Sequence, residues 1–346
     1  MSEDWAQPVR RVFSASELGA LAAEDAAAGG WLLGVARGGL DRLRGALPRL
    51  RPIGAPRAIA AWAMLAPAVV ALAAFAVYPA LYALALSFTK STLGQPFKQW
   101  IGVANYAWQL SPEAEFRLSL ARAAGFSFAA AAIELVLGVH LATLASAVRR
   151  QRRLVRTTLL LPLMTPPVLV GTAWKLLLAP SGGLVDGKLT AWGLIDAPIS
   201  FLGEQPWATI SILVADIWQW TPFVAILAFA ALQQTPTDSL EAARLDGASN
   251  RAIFWHIELP IAAPALLAIF LLRLIMAFKT FDIIYILTFG GPGDSTTLAG
   301  FAIWREALRN FDVGAAAAQT ILFAISVSIV TWPVVWLHRH FEARWT

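Results

Sequence analysis

Cysteine is missing from all 346 residues, which removes disulfides, thiolate metal sites and cysteine nucleophiles together. Histidine is scarce, at four, and no two stand four apart as a helical metal pair requires. Neither H-E-x-x-H nor G-x-S-x-G occurs, no carboxylates have catalytic spacing, and the phosphate-binding string G-x-x-x-x-G-K-[ST] is absent. The glycine-rich stretch at 290–293 carries no lysine. The chain is therefore expected to be no enzyme and to hold no metal or cofactor of its own. Charge is thin as well, at 14% of residues against roughly 25% in a soluble domain. The formal excess of +5 lies beside apolar runs, which does not point to nucleic acid. Ahead of residue 59 no apolar run is long enough for the core of a secretory leader.

What is present is hydrophobicity: 58% of residues are apolar and the mean hydropathy is +0.62. A bilayer core about 30 Å thick takes roughly 20 apolar residues per helix. Six segments qualify, near 59–87, 121–148, 154–178, 207–232, 261–288 and 319–338. An all-α polytopic membrane protein follows. Pro162, Pro166 and Pro167 remove donors from the third segment and predict a kink or break there. With the N-terminus inside, seventeen basic residues flank the spans on the cytoplasmic side and six on the other, which puts both termini inside. The domain reading is a basic arm at 1–58, a transmembrane body at 59–340 and a tail at 341–346. In the arm, Leu33, Leu40, Leu43, Leu47 and Leu50 share one helical face amid arginines. That fits a helix on the anionic inner leaflet, and a loosely ordered tail fits equally. Trp62, Trp207 and Trp336 stand where span ends are expected, as interfacial anchors.

Between the fourth and fifth apolar runs lies a polar island at 233–260. Asp238 followed by Glu241 has the spacing of a helix start, and the helix runs on through Ala242, Ala243 and Arg244. Gly247 supplies the left-handed residue that ends it. Ser249 is placed to cap a second short helix that carries Phe254 and Ile257 on one face, with Pro260 as its stop. Two short helices and a tight turn make a compact knob, suited to transmitting force. An ordinary solvated loop has the same general composition.

The string itself goes further. Glu241-Ala242-Ala243, Asp246-Gly247-Ala248, Phe254, Ile257, Leu259 and Pro260 resemble the EAA loop of binding-protein-dependent ABC importer permeases. Ile101-Gly102 with Asn105 and Tyr106, Pro162, Pro167 and Trp174, and Asp216 through Phe223 are similar to further elements of that family. Phe278-Lys279, Phe281-Asp282, Tyr285, Thr288 and Gly290-Gly291-Pro292 resemble its carbohydrate-importing branch, and the larger-type subunit of maltose and glycerol-phosphate importers in particular. Arg122-Ala123 departs from the usual Asn-Thr pair, and Asp186 from Asn. The resemblance implies a type I importer permease fold of six transmembrane helices, with a cytoplasmic coupling helix between helices four and five. It implies a heterodimer with a second permease, two copies of an ATPase subunit that hold the ATP and magnesium, and an extracytoplasmic solute-binding protein. The membrane implied is the prokaryotic inner one. The implied ATPase-docking residues are Glu241, Ala242, Ala243, Asp246, Gly247, Ala248, Phe254 and Pro260.

Polar residues at bilayer depth cost enough to face a cavity or a partner. Glu134 lies deep in the second segment, as a structural hydrogen bond or a pathway group. Lys175 and Arg273 are expected near span ends, snorkelling to water. Lys279 and Asp282, three apart, are expected to pair on one helical face. Asp282, Tyr285 and Thr288 near Phe281 offer the hydroxyl partners and ring that a sugar uses. With Asp216, Gln219, Trp220 and Lys279 they are the expected substrate path; a packing role for a buried Lys–Asp pair is the alternative. The expected cargo is a disaccharide, oligosaccharide, glucoside or polyol. Glycerol-phosphate, an amino acid or an ion-driven secondary transporter are the competing readings. An ion-driven transporter calls for discontinuous helices in both halves, and only the third segment is proline-rich.

Overall fold

The computed structural model describes residues 55–147, 157 and 160–345. The expected arm helix at 33–50 and the basic loop at 149–156 lie outside the described residues. Residues up to Ala76 form one unit and Val77–Thr346 a second. The described part of the first unit holds α1 (Ala55–Leu72), apolar in sequence after Arg57, with exposed side chains from Trp62 on.

The second unit is a helical body with one small sheet. α2 (Tyr78–Ser87) leads into the antiparallel hairpin of β1 (Thr89–Thr92) and β2 (Gln95–Trp100), then α3 (Ala104–Gln109). Asn105 binds back to the end of α2 and the start of β1: its Nδ2 donates to the carbonyls of Ser87 and Thr89 at 2.9 and 3.0 Å. Tyr106 hydrogen-bonds Ser87 Oγ at 2.6 Å, so the first span is tied to the turn that follows it.

α4 (Glu115–Ala147) is followed by α5 (Pro167–Leu177), α6 (Leu184–Ala191) and α7 (Trp207–Leu232). The polar island holds α8 (Thr237–Leu245) and α9 (Asn250–Ile253). α10 (Leu259–Phe278), α11 (Asp282–Leu287), α12 (Ala299–Leu308) and α13 (Val313–Trp345) complete the chain. Among the described residues, five helical runs are long and apolar enough to cross a membrane: Trp62–Ser87, Glu115–Ser146, Trp207–Leu232, Asn250–Leu287 and Val313–His340. The third expected span is represented by a helical stretch at 160–164 and the short α5, with the break at Thr165 and Pro166 that the prolines predict.

The core is formed by α4 packed on α7 and α10. A Cβ at Gly138 of α4 would lie 2.7 Å from Val224 Cγ1 and 3.0 Å from the Ala225 nitrogen, so only glycine admits this close approach. Two apolar clusters stack along the bundle. One runs through Phe126, Ala130, Ala215, Leu274 and Ile284, the other through Ala142, Val224, Ala228 and Leu266.

Candidate functional site

In the island, α8 starts one residue ahead of Asp238. Pro236 is its N-cap and makes no side-chain cap bond, so Asp238 sits inside the first turn and does not cap. There its carboxylate faces the positive helix end. The end of α8 matches its sequence closely. Gly247 has φ +81°, its N–H donates to Arg244 O at 3.1 Å, and the Ala248 N–H donates to Ala243 O at 3.0 Å. This is the two-bond Schellman closure, and it gives Ala243, Gly247 and Ala248 their places. Ser249 Oγ accepts from Ala252 N at 3.3 Å and caps α9.

Pro260 does not stop the second helix. A π-helical stretch, Phe254–Glu258, joins α9 to α10, and Pro260 occupies the first turn of α10. The wider turn absorbs the clash between a proline ring and the preceding carbonyls, so the helix continues into the fifth span. Glu241, Ala242, Asp246 and Gly247 are exposed, while Phe254 and Pro260 are half-buried. The most exposed apolar side chains here are ones the sequence reading passed over: Leu245 at 89% and Trp255 at 56%.

Deep in the bundle, Arg273 departs furthest from expectation. It does not snorkel: its side chain is 1% exposed and meets Glu134 of α4 and Asp216 of α7. Its Nη2 donates to Glu134 Oε1 at 2.8 Å and to Asp216 Oδ2, and its guanidinium lies 5.2 Å from the Trp220 ring centroid. Thr280 Oγ1 donates to Asp216 Oδ1 at 3.4 Å. One cation thus faces two carboxylates and an aromatic face at the seam between the two apolar clusters. Gln219 is also buried, with its Nε2 donating to the Thr165 carbonyl at 3.2 Å, where the third segment breaks.

The fifth span supplies the other correction. Lys279 is the C-cap of α10, and the chain is non-helical at Thr280 and Phe281 before α11 begins at Asp282. Lys279 and Asp282 therefore do not share a helical face, and they form no ion pair; both are exposed. Tyr285 stacks on Phe281 at 5.6 Å. Thr288 shares a 2.7 Å bond with Thr296 and so braces the following loop. Lys175 does lie in the last turn of α5, and its Nζ donates to Ile286 O at 2.9 Å, tying α5 to α11. The residues expected to line a path thus fall into two groups: Asp216, Gln219 and Trp220 around the arginine, and Lys279, Asp282, Tyr285 and Thr288 beyond it.

Beside α11, Asp294 receives Arg305 Nη1, Arg305 Nη2 reaches Glu115 Oε2 at 3.1 Å, and Arg122 Nη1 donates to the Asp294 carbonyl at 2.7 Å. Partial burial pushes the Asp294 carboxyl up, but the hydrogen bonds led by Arg305 outweigh it and hold the carboxyl below its ordinary 3.8. Arg122, a departure from the family pattern, thus belongs to a network joining α4, the 288–298 loop and α12.

Residues 134–346, from Glu134 of the buried hub to the chain end, match the family described as binding-protein-dependent transport system inner membrane component. The chain belongs to that family. This permease resembles the trehalose/maltose transport system permease protein of Thermococcus litoralis, 33% identical over 271 residues, which cover 77% of this chain and 90% of that one. The trehalose transport system permease protein of Mycobacterium tuberculosis is 30% identical, with 78% and 85% covered. The sn-glycerol-3-phosphate transport system permease protein of Agrobacterium fabrum is 28% identical, with 80% and 93% covered. Among solved structures, a bacterial ABC transporter importing the acidic polysaccharide alginate superposes with TM-score 0.69 at 23% identity, over 82% of this chain and 96% of that one. The fold is that of a type I ABC importer permease.

Proposed function

We propose that this ABC permease subunit passes a carbohydrate into the cytoplasm and takes its driving energy from separate ATPase subunits gripping the 233–260 loop. A di- or oligosaccharide, glucoside or polyol is the cargo favoured by the trehalose and maltose relatives, and glycerol-phosphate, named for a 28% identical relative, is the competing one. A second permease forms the other half of a heterodimer, and two copies of the ATPase carry ATP and magnesium. A binding protein delivers the sugar outside the inner membrane, and both termini of this chain face inward. Such coupling needs two conformations that the partners bind with different affinity.

The observation that carries this reading is the helix–turn–helix of the island. Its Schellman closure at Gly247 fixes the angle between α8 and the helix that becomes the fifth span. It also leaves Leu245 and Trp255 bare beside the charged Glu241, Arg244, Asp246 and Arg251. Large apolar side chains on a rigid, water-facing element are suited to fill a partner's groove. Glu241, Ala242, Ala243, Asp246, Gly247 and Ala248 shape and surround that edge, with Phe254 and Pro260 behind it.

The native absence of cysteine gives a direct test. Ser239→Cys in the island and Asn310→Cys beyond the fifth span are both exposed positions. A membrane-impermeant maleimide is expected to label only Asn310→Cys in intact cells, and Ser239→Cys only after the membrane is opened. In the assembled importer the ATPase should shield Ser239→Cys. Labelling of Ser239→Cys from outside would reverse the orientation and end the docking reading.

A further inference from the structure

Beyond Arg273, at the end of the fifth span opposite the docking loop, five rings close into one cluster: Phe281, Tyr285, Phe289, Phe301 and Trp304. Phe301 is fully buried and serves as its floor. Tyr285 and Phe289 are not; they are 41% and 43% exposed although they touch each other and Trp304. Centroid separations are 5.1 Å for Tyr285–Trp304, 5.2 Å for Tyr285–Phe289 and 5.9 Å for Phe289–Trp304. Trp304 stands nearly perpendicular to both, at 89° and 86°, so the three rings form walls set at an angle.

The backbone at Phe289 departs from ordinary packing. Its φ is +53°, a region in which any side chain with a Cβ is disfavoured and a bulky one especially so. Strain of this kind persists where the surroundings hold a residue for a purpose. The surroundings here are Thr288 Oγ1, which accepts from Gly290 N at 3.3 Å, and Arg309, whose guanidinium lies 5.2 Å from the Phe289 ring centroid. Arg309 is exposed and belongs to no ion pair among the described residues. Asp282, also exposed, stands one turn before Tyr285 on α11.

We propose that Tyr285, Phe289 and Trp304, flanked by Arg309 and Asp282, form a platform on which a sugar ring stacks as it enters the path. This rests on the carbohydrate reading above and adds to it a first contact built from Phe289, Trp304 and Arg309. The C–H face of a pyranose lies flat on an aromatic ring, while its hydroxyls need both donors and acceptors at the edge. Arg309 offers donors only, and the Asp282 carboxylate acceptors only. An interfacial aromatic belt anchors a helix with separate Trp and Tyr rings at headgroup level. It calls for neither a fused three-ring corner nor a strained backbone beneath one of its members.

The test uses the complete importer, with both permeases, ATPases and binding protein, in proteoliposomes with labelled maltose, trehalose and maltopentaose. Phe289→Leu and Trp304→Leu keep apolar bulk and lose the ring. Each is expected to cut saccharide uptake about three- to tenfold, the worth of a ring contact. ATP hydrolysis stimulated by the loaded binding protein should fall far less, whereas a packing defect would lower both together. Trp304→Tyr keeps a ring and should retain most uptake, which guards against misfolding of the leucine variants. Wild-type uptake matched by both leucine variants would overturn the platform and leave the carbohydrate reading standing. Equal loss of uptake and hydrolysis would also overturn it, in favour of a packing role. If the wild-type importer moves none of the three saccharides, the di- and oligosaccharide reading fails and the platform with it.

Discussion

Arg273 Nη2 donates to Glu134 Oε1 at 2.8 Å, joining α10 to α4 across 139 positions of sequence. Asp216 of α7 closes the same contact, so one guanidinium links the three helices of the core. Removing one member of a buried charge pair leaves the others uncompensated and costs about 3–5 kcal/mol. Arg273→Met should therefore lower membrane abundance and melting temperature sharply. The triple neutral variant, Arg273→Met with Glu134→Gln and Asp216→Asn, should regain much of that loss. A thermal melt of the detergent-purified complex checks both; equal stability of Arg273→Met and wild type would contradict the hub.

The proposed docking role of the 233–260 loop makes a separate prediction. Leu245→Glu places a charge where an apolar side chain is 89% exposed, so the isolated permease should fold normally. Co-purification of the ATPase should be lost. Gly247→Val, at φ +81°, adds roughly 1–2 kcal/mol of left-handed backbone strain and should weaken co-purification by distorting the turn. Pull-down of the ATPase at matched permease abundance gives the readout.

Gly138→Leu should be more disruptive than its conservative look suggests. Its Cβ alone would press on Val224 and on the Ala225 backbone, which has no rotamer to yield. Loss of membrane abundance that Val224→Ala partly relieves is the expected pattern, measured by immunoblot of membranes.

Acid sensitivity follows from Asp294, which lies outside the spans. A carboxyl held below its ordinary value contributes stability that is complete above 3.8 and disappears as pH falls through the lower folded value. The α4–loop–α12 junction should thus loosen only below about pH 4. In Arg305→Gln the main bond that holds the carboxyl down is gone, so the junction should be looser already at neutral pH and its acid-dependent loss should shrink. Proteolytic cleavage in the 288–298 loop, followed against pH, measures it.

Parts of this were legible in the sequence because they depend on neighbours in the chain. The fourth span, Trp207–Leu232, is a long apolar run, interrupted by Asp216 and Gln219 and bounded by Pro206 and Gln233, and it matches its expected limits. Gly247 and Ser249 act within five residues of their partners, and both were readable. Arg273 was not, because Glu134 and Asp216 stand 139 and 57 positions away and no local pattern reports such distances. Lys279 and Asp282 misled because i, i+3 spacing brings side chains together only inside a continuous helix, and α10 ends between them. Pro260 misled for the opposite reason: a π-turn lets the helix pass a residue that ordinarily ends one. The sixth span begins earlier than its apolar stretch because Asp312 Oδ1 accepts from Ala315 N at 2.9 Å and starts the helix at Val313.

That π-turn has a mechanical meaning. With no loop between Asn250 and Phe278, the residues behind Ser249 and the guanidinium of Arg273 ride on one shaft about 35 Å long. A tilt imposed at its Asn250 end cannot be absorbed by a flexible joint on the way. It has to reappear among Glu134, Asp216 and Trp220, where Arg273 holds α4, α7 and α10 together.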